Sequence, residues 1–148
     1  MILPDFYIDD LIKNAIKEDI NYIDVATDYL LDENEVSEAV FVAKAEGVLC
    51  GIDAAMRVFQ LLDNTFTCVL HKKDGDVIKN GDLIAELKGK TVKLLKGERT
   101  ALNLIQHMSG IATLTNECVK QTEGTRATIA DTRKTLPGLR SLQKYAVT

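Results

Sequence analysis

The N-terminal part of the chain switches repeatedly between helical and strand-like hydrophobic periods. Apolar residues recur at helical spacing over residues 8–16, which predicts an amphipathic helix beginning near Pro4 and Asp5. Strict alternation over residues 36–46 predicts a strand with one buried face, and residues 53–62 return to a helical period. Residues 17–28 have no period and predict a loop in which Asp24 and Asp28 serve as turn or cap residues.

Two further strands are predicted before the pattern changes. Residues 66–71 and 83–87 alternate, and Asn80-Gly81 between them indicates a turn because both residue types tolerate positive φ. Residues 1 to about 90 therefore predict an α+β unit in which helices pack on a small, mostly antiparallel sheet.

The period changes from Lys93, and the stretch from Glu98 predicts a long helix with a wide apolar face, weakened or bent at Gly110 and ending near Gly124. Residues 128–130 then predict a short buried strand, and a polar loop follows. Ser141 is placed to cap a last helix over residues 142–147.

Composition excludes several classes of protein. The chain has 148 residues, a net charge of −4 and a pI near 5.2, which argues against general affinity for nucleic acid or an anionic membrane. No apolar run reaches the roughly 20 residues of a spanning helix, and the first residues do not resemble a signal peptide, so a cytoplasmic location is expected. Cys50, Cys68 and Cys118 lie at no metal-ligand spacing and are expected to be reduced, mostly buried thiols.

Positive charge is concentrated in one segment of this acidic chain. Residues 126–144 contain five cations and one anion, a local balance of +4, so the remainder of the chain sums to −8. A cationic segment of this length is a candidate site for small anions, and it is too short for a nucleic-acid surface.

Arg133 and Lys134 are the main candidates, because they follow the predicted strand at the end where parallel α/β folds bind ligands. The Arg fork suits a carboxylate, whereas Lys supplies a compact charge for phosphate. Arg99 in the first turn of the long helix is a further candidate, the alternative being an exposed or acid-paired arginine. Arg140 and Lys144 are four residues apart and are candidates too, with a merely solvated helix face as their alternative.

These residues lie within motifs of a known family. The segments ERTALNLIQHMSGIATLT and DTRKTLPGLRSLQKYAV closely resemble quinolinate phosphoribosyltransferases, also called nicotinate-nucleotide pyrophosphorylases (carboxylating). KEDINYIDVATDYL, AEGVLCGIDAAMRVFQLLD and KDGDVIKNGDLIAELKG are similar to upstream segments of the same family, so the resemblance covers essentially the whole chain. His107 is a departure, since the family often has Arg there.

The resemblance implies a specific pentosyltransferase reaction in NAD biosynthesis. Phosphoribose passes from phosphoribosyl pyrophosphate to the ring nitrogen of quinolinate, and the products are nicotinate mononucleotide, CO2 and pyrophosphate. Mg²⁺ is the implied cofactor, and its ligands are not expected in this chain. The implied substrate-binding residues, with Lys134 also catalytic, are Arg99, Thr132, Arg133, Lys134, Arg140 and Lys144.

The resemblance also implies a larger architecture. An N-terminal α+β domain over residues 1–95 would precede the first helix and strand of an incomplete α/β barrel over residues 96–148. In the family the chain continues past KYAV with acidic ribose and metal ligands and Gly-rich phosphate loops. The sequence is therefore expected to represent the N-terminal half of such an enzyme and to be inactive alone.

Partners and alternatives follow from the same resemblance. A homodimer or higher homo-oligomer is expected, with Arg99 reaching the quinolinate of a neighbouring subunit, and neither nucleic acid nor a membrane is an expected partner. One alternative is a molybdenum-transport-associated paralogue with the same fold. Another is that the chain serves only as a binding and dimerisation module.

Overall fold

A computed structural model describes residues 4–20 and 25–148 of the chain. The elements in order are α1 (Asp5–Asp19), α2 (Val25–Leu30), β1 (Val36–Val42), β2 (Gly47–Val48), α3 (Ile52–Leu62), β3 (Thr67–Leu70), β4 (Val77–Ile78), β5 (Leu83–Lys90), α4 (Thr91–Thr122) and α5 (Arg140–Tyr145).

The first helix forms as its hydrophobic spacing predicts. Pro4 is the residue before α1, and Ile8 and Ile12 turn inward and are buried. The prediction of a continuous loop over residues 17–28 is wrong, because α1 extends to Asp19 and α2 begins at Val25. Asp28 lies within α2 and forms an ion pair with Lys96 of α4, while Asp24 lies outside the described residues.

Both sheets are antiparallel, as the alternating segments predict. The larger sheet has the order β1-β5-β3, with Phe41 of β1 and Leu70 of β3 both paired to Ala85 of the central strand. The smaller sheet pairs β2 with β4. Within β1 only Phe41 is buried, and Ala39 on the same predicted face is exposed, so the predicted buried face is present only at the end of the strand next to α3 and α4.

The core lies between the larger sheet, α1, α3 and the first half of α4. The Phe59 ring of α3 stacks on Phe66 with centroids 5.3 Å apart and meets the edge of Phe41 at 6.1 Å. Helix α4 approaches this cluster closely at Gly97, where an added Cβ would lie 2.8 Å from two Phe59 ring carbons.

Helix α4 runs for 32 residues without interruption, so Gly110 does not end it, and the weakening or bend expected there stays a prediction. Its buried residues all lie at or before Met108, whereas Leu114 and Val119 in the later turns are exposed. Gly124 follows the helix with a φ of 77°, which agrees with its predicted role as a C-terminal stop.

Two predictions for the C-terminal segment are wrong. Residues 128–130 form no strand and are largely exposed, because neither sheet in the described part of the chain offers an edge beside them and an unpaired strand has no hydrogen-bond ladder. Ser141 does not cap α5, since the helix begins at Arg140 and follows Leu139.

Helix α4 crosses the predicted boundary between residues 95 and 96 as one continuous helix, and the division into two domains stays a prediction. Across residues 4–20 and 25–148, no helix combines enough length and apolar character to traverse a bilayer.

Candidate functional site

The predicted substrate-binding triplet lies in an irregular loop between α4 and α5. Thr132, Arg133 and Lys134 are all exposed there, and Pro137-Gly138 turns the chain into α5, with Gly138 at a φ of 84°. Regular structure gives way to a loop here because Gly124 ends α4 and Pro137 cannot donate a backbone hydrogen bond.

Side chains of α5 hold this loop in shape. The Arg140 Nε donates to Thr135 Oγ1 at 3.0 Å, and its terminal nitrogen donates to the backbone carbonyl of Arg133 at 3.5 Å. The Lys144 ammonium pairs with the Asp131 carboxylate at 3.1 Å. Of the four candidate cations in this segment, Arg140 and Lys144 therefore bind the loop itself.

The other two cations face outward. Among the described residues, the side chains of Arg133 and Lys134 make no hydrogen bond and no ion pair, although their backbone atoms do. Adjacent, exposed and unpaired among the described residues, they are placed to meet an anion, and the Asp131 carboxylate of the same loop is already paired with Lys144.

Helix α5 is anchored to the rest of the molecule by the packing of its apolar residues and by one partly buried hydrogen bond. Leu142 and Ala146 are buried, and the Tyr145 hydroxyl donates to Asp74 Oδ2 at 2.8 Å. The other Asp74 oxygen accepts the Ile52 amide at the start of α3. Burial, followed by the bond to Asp74, raises the pKa of Tyr145, so its hydroxyl stays protonated as the donor.

A second link joins the basic loop to α4 through residues that sequence reasoning did not assign to the site. Gln143 Oε1 accepts the Leu136 backbone N–H at 2.9 Å, and Gln143 Nε2 lies 3.0 Å from Nε2 of His107. The one trace of this link in the sequence is His107, which stands where the resembled family often has Arg.

Arg99 lies on α4, two turns before His107 and thus about 12 Å away along the helix axis. Its guanidinium pairs with Asp19 at 2.7 Å, and 74% of the side chain is exposed. Arg99 is thus paired with a residue of α1. The other predicted site residues lie together in one segment, namely Thr132, Arg133, Lys134, Arg140 and Lys144.

Neither of two pockets bounded by described residues contains the predicted site residues. A groove of about 510 Å³ between the β1–β2 region and α4 is lined mainly by apolar residues such as Leu102 and Ile105. A second cavity of about 460 Å³ lies beside α5 and is bounded by Asp74 and Tyr145. Neither includes the basic loop, which is an open surface.

Metal and thiol chemistry find no support at this surface. Within the described ranges, no three His, Cys, Asp or Glu side chains cluster in a way that could hold a metal ion. Burial, with a smaller contribution from Asp74, raises the pKa of the Cys50 thiol to about 12, so it is un-ionised and unreactive at neutral pH. Cys118, by contrast with the expectation of mostly buried thiols, is exposed.

Comparison with known proteins identifies the family. Residues 24–109 match the model of the quinolinate phosphoribosyl transferase N-terminal domain, and residues 111–148 match that of its C-terminal domain. The chain belongs to the quinolinate phosphoribosyl transferase family. The expectation drawn from the TRK and ERTALN motifs is thereby confirmed at the level of the family.

Individual members of the family are similar over nearly the whole chain. A probable nicotinate-nucleotide pyrophosphorylase (carboxylating) from Bacillus subtilis is 47% identical over 137 residues, which is 93% of this chain and 47% of that protein. The nicotinate-nucleotide pyrophosphorylase (carboxylating) of Mycobacterium leprae is 42% identical over 93% of this chain and 50% of its own length. The chain thus spans about half the length of the curated relatives it matches.

Solved structures of the family share the fold. NadC from Streptococcus pyogenes superposes with a TM-score of 0.95 at 41% identity, over 99% of this chain and 52% of that one. The nicotinate-nucleotide pyrophosphorylase from Francisella tularensis gives 0.90 at 36% identity, over 98% of this chain and 52% of its own. The predicted class, helices on a small antiparallel sheet, agrees with these neighbours, and the beginning of a second unit stays a prediction.

Proposed function

We propose that this chain supplies the quinolinate-binding half of a phosphoribosyltransferase. In this reaction phosphoribose moves from phosphoribosyl pyrophosphate to the quinolinate nitrogen, and nicotinate mononucleotide, CO2 and pyrophosphate are released. The observation that carries the proposal is the Arg133–Lys134 pair. The two cations are exposed and unpaired among the described residues, they are backed by cations that shape the loop, and they lie in a chain of this family.

The chemistry of the substrates matches these side chains. Quinolinate is a dicarboxylate, and the Arg133 guanidinium can bind one carboxylate through two parallel hydrogen bonds. Lys134 beside it would stabilise the negative charge of the second substrate's phosphates as the pyrophosphate leaves. Thr132 would add a hydroxyl, and Arg140 and Lys144 would contribute positive potential while holding the loop.

Decarboxylation needs little further acid–base chemistry from the protein. Once the ring nitrogen carries the ribose it is cationic, so it stabilises the electron pair left on the adjacent ring carbon when the carboxylate departs as CO2, and that carbon then takes a proton from water. The role of Arg133 is then to hold and orient the carboxylates until transfer has occurred.

Mg²⁺ belongs to the proposal only as the ion that accompanies phosphoribosyl pyrophosphate. The described residues offer no carboxylate cluster for it, so no step is assigned to it here. Dependence of turnover on added Mg²⁺, abolished by a chelator, would support its inclusion.

A shared site between two copies of the chain completes the proposal. Arg99 is 74% exposed, and the later turns of α4 expose Leu114 and Val119, so this helix can lie against a neighbouring subunit. Light scattering at micromolar concentration should then give the mass of a dimer or a larger oligomer, and the mass of a single chain would count against a shared site.

Quinolinate binding tests the central claim directly. The full 148-residue chain should bind quinolinate in a calorimetric titration, and Arg133→Ala should weaken binding by about 10- to 100-fold, as expected for loss of a bidentate charged contact. Lys120→Ala removes an exposed cation from the end of α4 and serves as the matched control. Equal affinities for Arg133→Ala and the unaltered chain would refute the assignment.

Turnover decides the reaction itself. Residues 1–148 can be joined to the part of the Bacillus subtilis relative that they do not match, and nicotinate mononucleotide formation measured with both substrates and Mg²⁺. Activity that Lys134→Ala abolishes would support the proposal. Failure to act on quinolinate would instead favour the molybdenum-transport-associated alternative, or a binding module without catalysis.

A further inference from the structure

The hydrogen bonds around Gln143 fix the orientation of its side-chain amide. The Leu136 backbone N–H can only donate, so the Gln143 atom 2.9 Å from it must be the carbonyl oxygen. The amide nitrogen therefore points the other way and lies 3.0 Å from His107 Nε2.

This orientation also sets the direction of the contact with His107. An amide NH2 group can only donate, so in this contact His107 Nε2 is the acceptor. Leu136, Gln143 and His107 thus form one directed chain of two hydrogen bonds from the basic loop, through α5, to α4.

The two hydrogen bonds of Gln143 differ from the other loop contacts in what they connect. The Arg140 and Lys144 contacts join the loop to α5 and not to α4. Tyr145 joins α5 to the Asp74 turn but does not touch the loop. Among the described residues, Gln143 is the side chain that hydrogen-bonds both the loop and α4.

We propose that Gln143 and His107 are positioning residues for the Arg133–Lys134 pair. Gln143 holds the loop backbone two residues beyond Lys134, and His107 fixes the Gln143 amide so that its oxygen faces Leu136. The inference rests on the proposed function, because its consequence is the affinity of this pair for quinolinate.

The test combines a local and a functional measurement on the full chain. Backbone amide exchange at Leu136, followed by NMR, reports the hydrogen bond itself, and calorimetry reports the dissociation constant for quinolinate. Gln143→Leu should speed Leu136 exchange and weaken quinolinate binding, each by about 3- to 10-fold, as expected for one lost hydrogen bond. His107→Phe should act in the same direction, since it removes the acceptor.

Two variants separate positioning from general damage. His107→Gln places a carbonyl oxygen near the position of Nε2, so it should restore both values to within about 2-fold of the unaltered chain. Gln121→Leu is the same glutamine-to-leucine substitution at an exposed site on α4, and it should alter neither Leu136 exchange nor the affinity for quinolinate. Amide spectra of each variant confirm that the fold is retained.

Each outcome decides a separate claim. Unchanged Leu136 exchange in Gln143→Leu would overturn the inference. Faster exchange with unaltered quinolinate affinity, while Arg133→Ala still weakens binding by about 10- to 100-fold, would overturn the positioning role and leave the proposed function standing. Absence of quinolinate binding by the unaltered chain would refute the proposed site, and the positioning role with it.

Discussion

Two glycines on α4 allow the packing of this helix to be tested with a matched pair of substitutions. Gly97 and Gly110 both lie inside α4, so replacing either by alanine gives the same gain in helix propensity, about 1 kcal/mol. Their surroundings differ. A Cβ at Gly97 would lie 2.8 Å from two Phe59 ring carbons and 3.2 Å from Leu62 Cδ1, whereas nothing lies within 4 Å of a Cβ at Gly110.

The difference between the two variants measures the steric conflict alone, because the propensity gains cancel. Phe59 is 2% exposed and is held between Phe41 and Phe66, so its ring cannot turn away without disturbing both. Overpacking of this kind costs about 1–3 kcal/mol. We therefore expect Gly110→Ala to raise the free energy of unfolding by about 1 kcal/mol. The free energy of unfolding of Gly97→Ala should be about 1–3 kcal/mol lower than that of Gly110→Ala.

Urea unfolding followed by circular dichroism is the appropriate assay, since the chain has no Trp to report by fluorescence. The measurement is made at two protein concentrations, because Gly110 borders the apolar groove and an association there would make stability concentration-dependent. If both alanines stabilise the chain equally, the close approach of α4 to Phe59 is wrong.

Two further predictions concern hydrogen bonds to the carboxylates of Asp63 and Asp74. The Thr65 hydroxyl and two backbone amides hold the pKa of Asp63 below its ordinary value, so its stabilisation is present above about pH 4 and is lost as the pH falls through the lowered pKa. Asp63→Ala should reduce the free energy of unfolding by about 1–3 kcal/mol at pH 7 and by less at pH 3, and a constant deficit would contradict this. Tyr145→Phe removes the bond to Asp74 and should cost about 1–2 kcal/mol, whereas Tyr29→Phe, on an exposed side chain, should have little effect in the same urea assay.

Local sequence chemistry predicted those features whose cause is local. The helical spacing over residues 8–16, the alternation in β1 and the Asn80-Gly81 turn each depend on neighbouring residues alone, and each is present in the structure. The motif around Arg133 and Lys134 also belongs to this group, because a short string of residue types suffices to indicate the family.

Features that depend on distant partners were mispredicted or missed. Residues 128–130 have strand-like composition, yet a strand requires a neighbouring edge, and none of the described strands lies there. The six residues of α2 carry too weak a period to be found, and they pack on α4 through partners such as Lys96.

The sequence alone determined the family of this protein, most of its local elements and the residue types of its proposed anion site. The tertiary structure decided which of the clustered cations bond within the molecule: Arg140 and Lys144 bond to the loop, whereas the Arg133 and Lys134 side chains are exposed. It also joined Gln143 to His107, 36 residues apart. The physical reason is that a hydrogen bond needs two groups within about 3 Å, and only folding brings groups so distant in the chain to that separation.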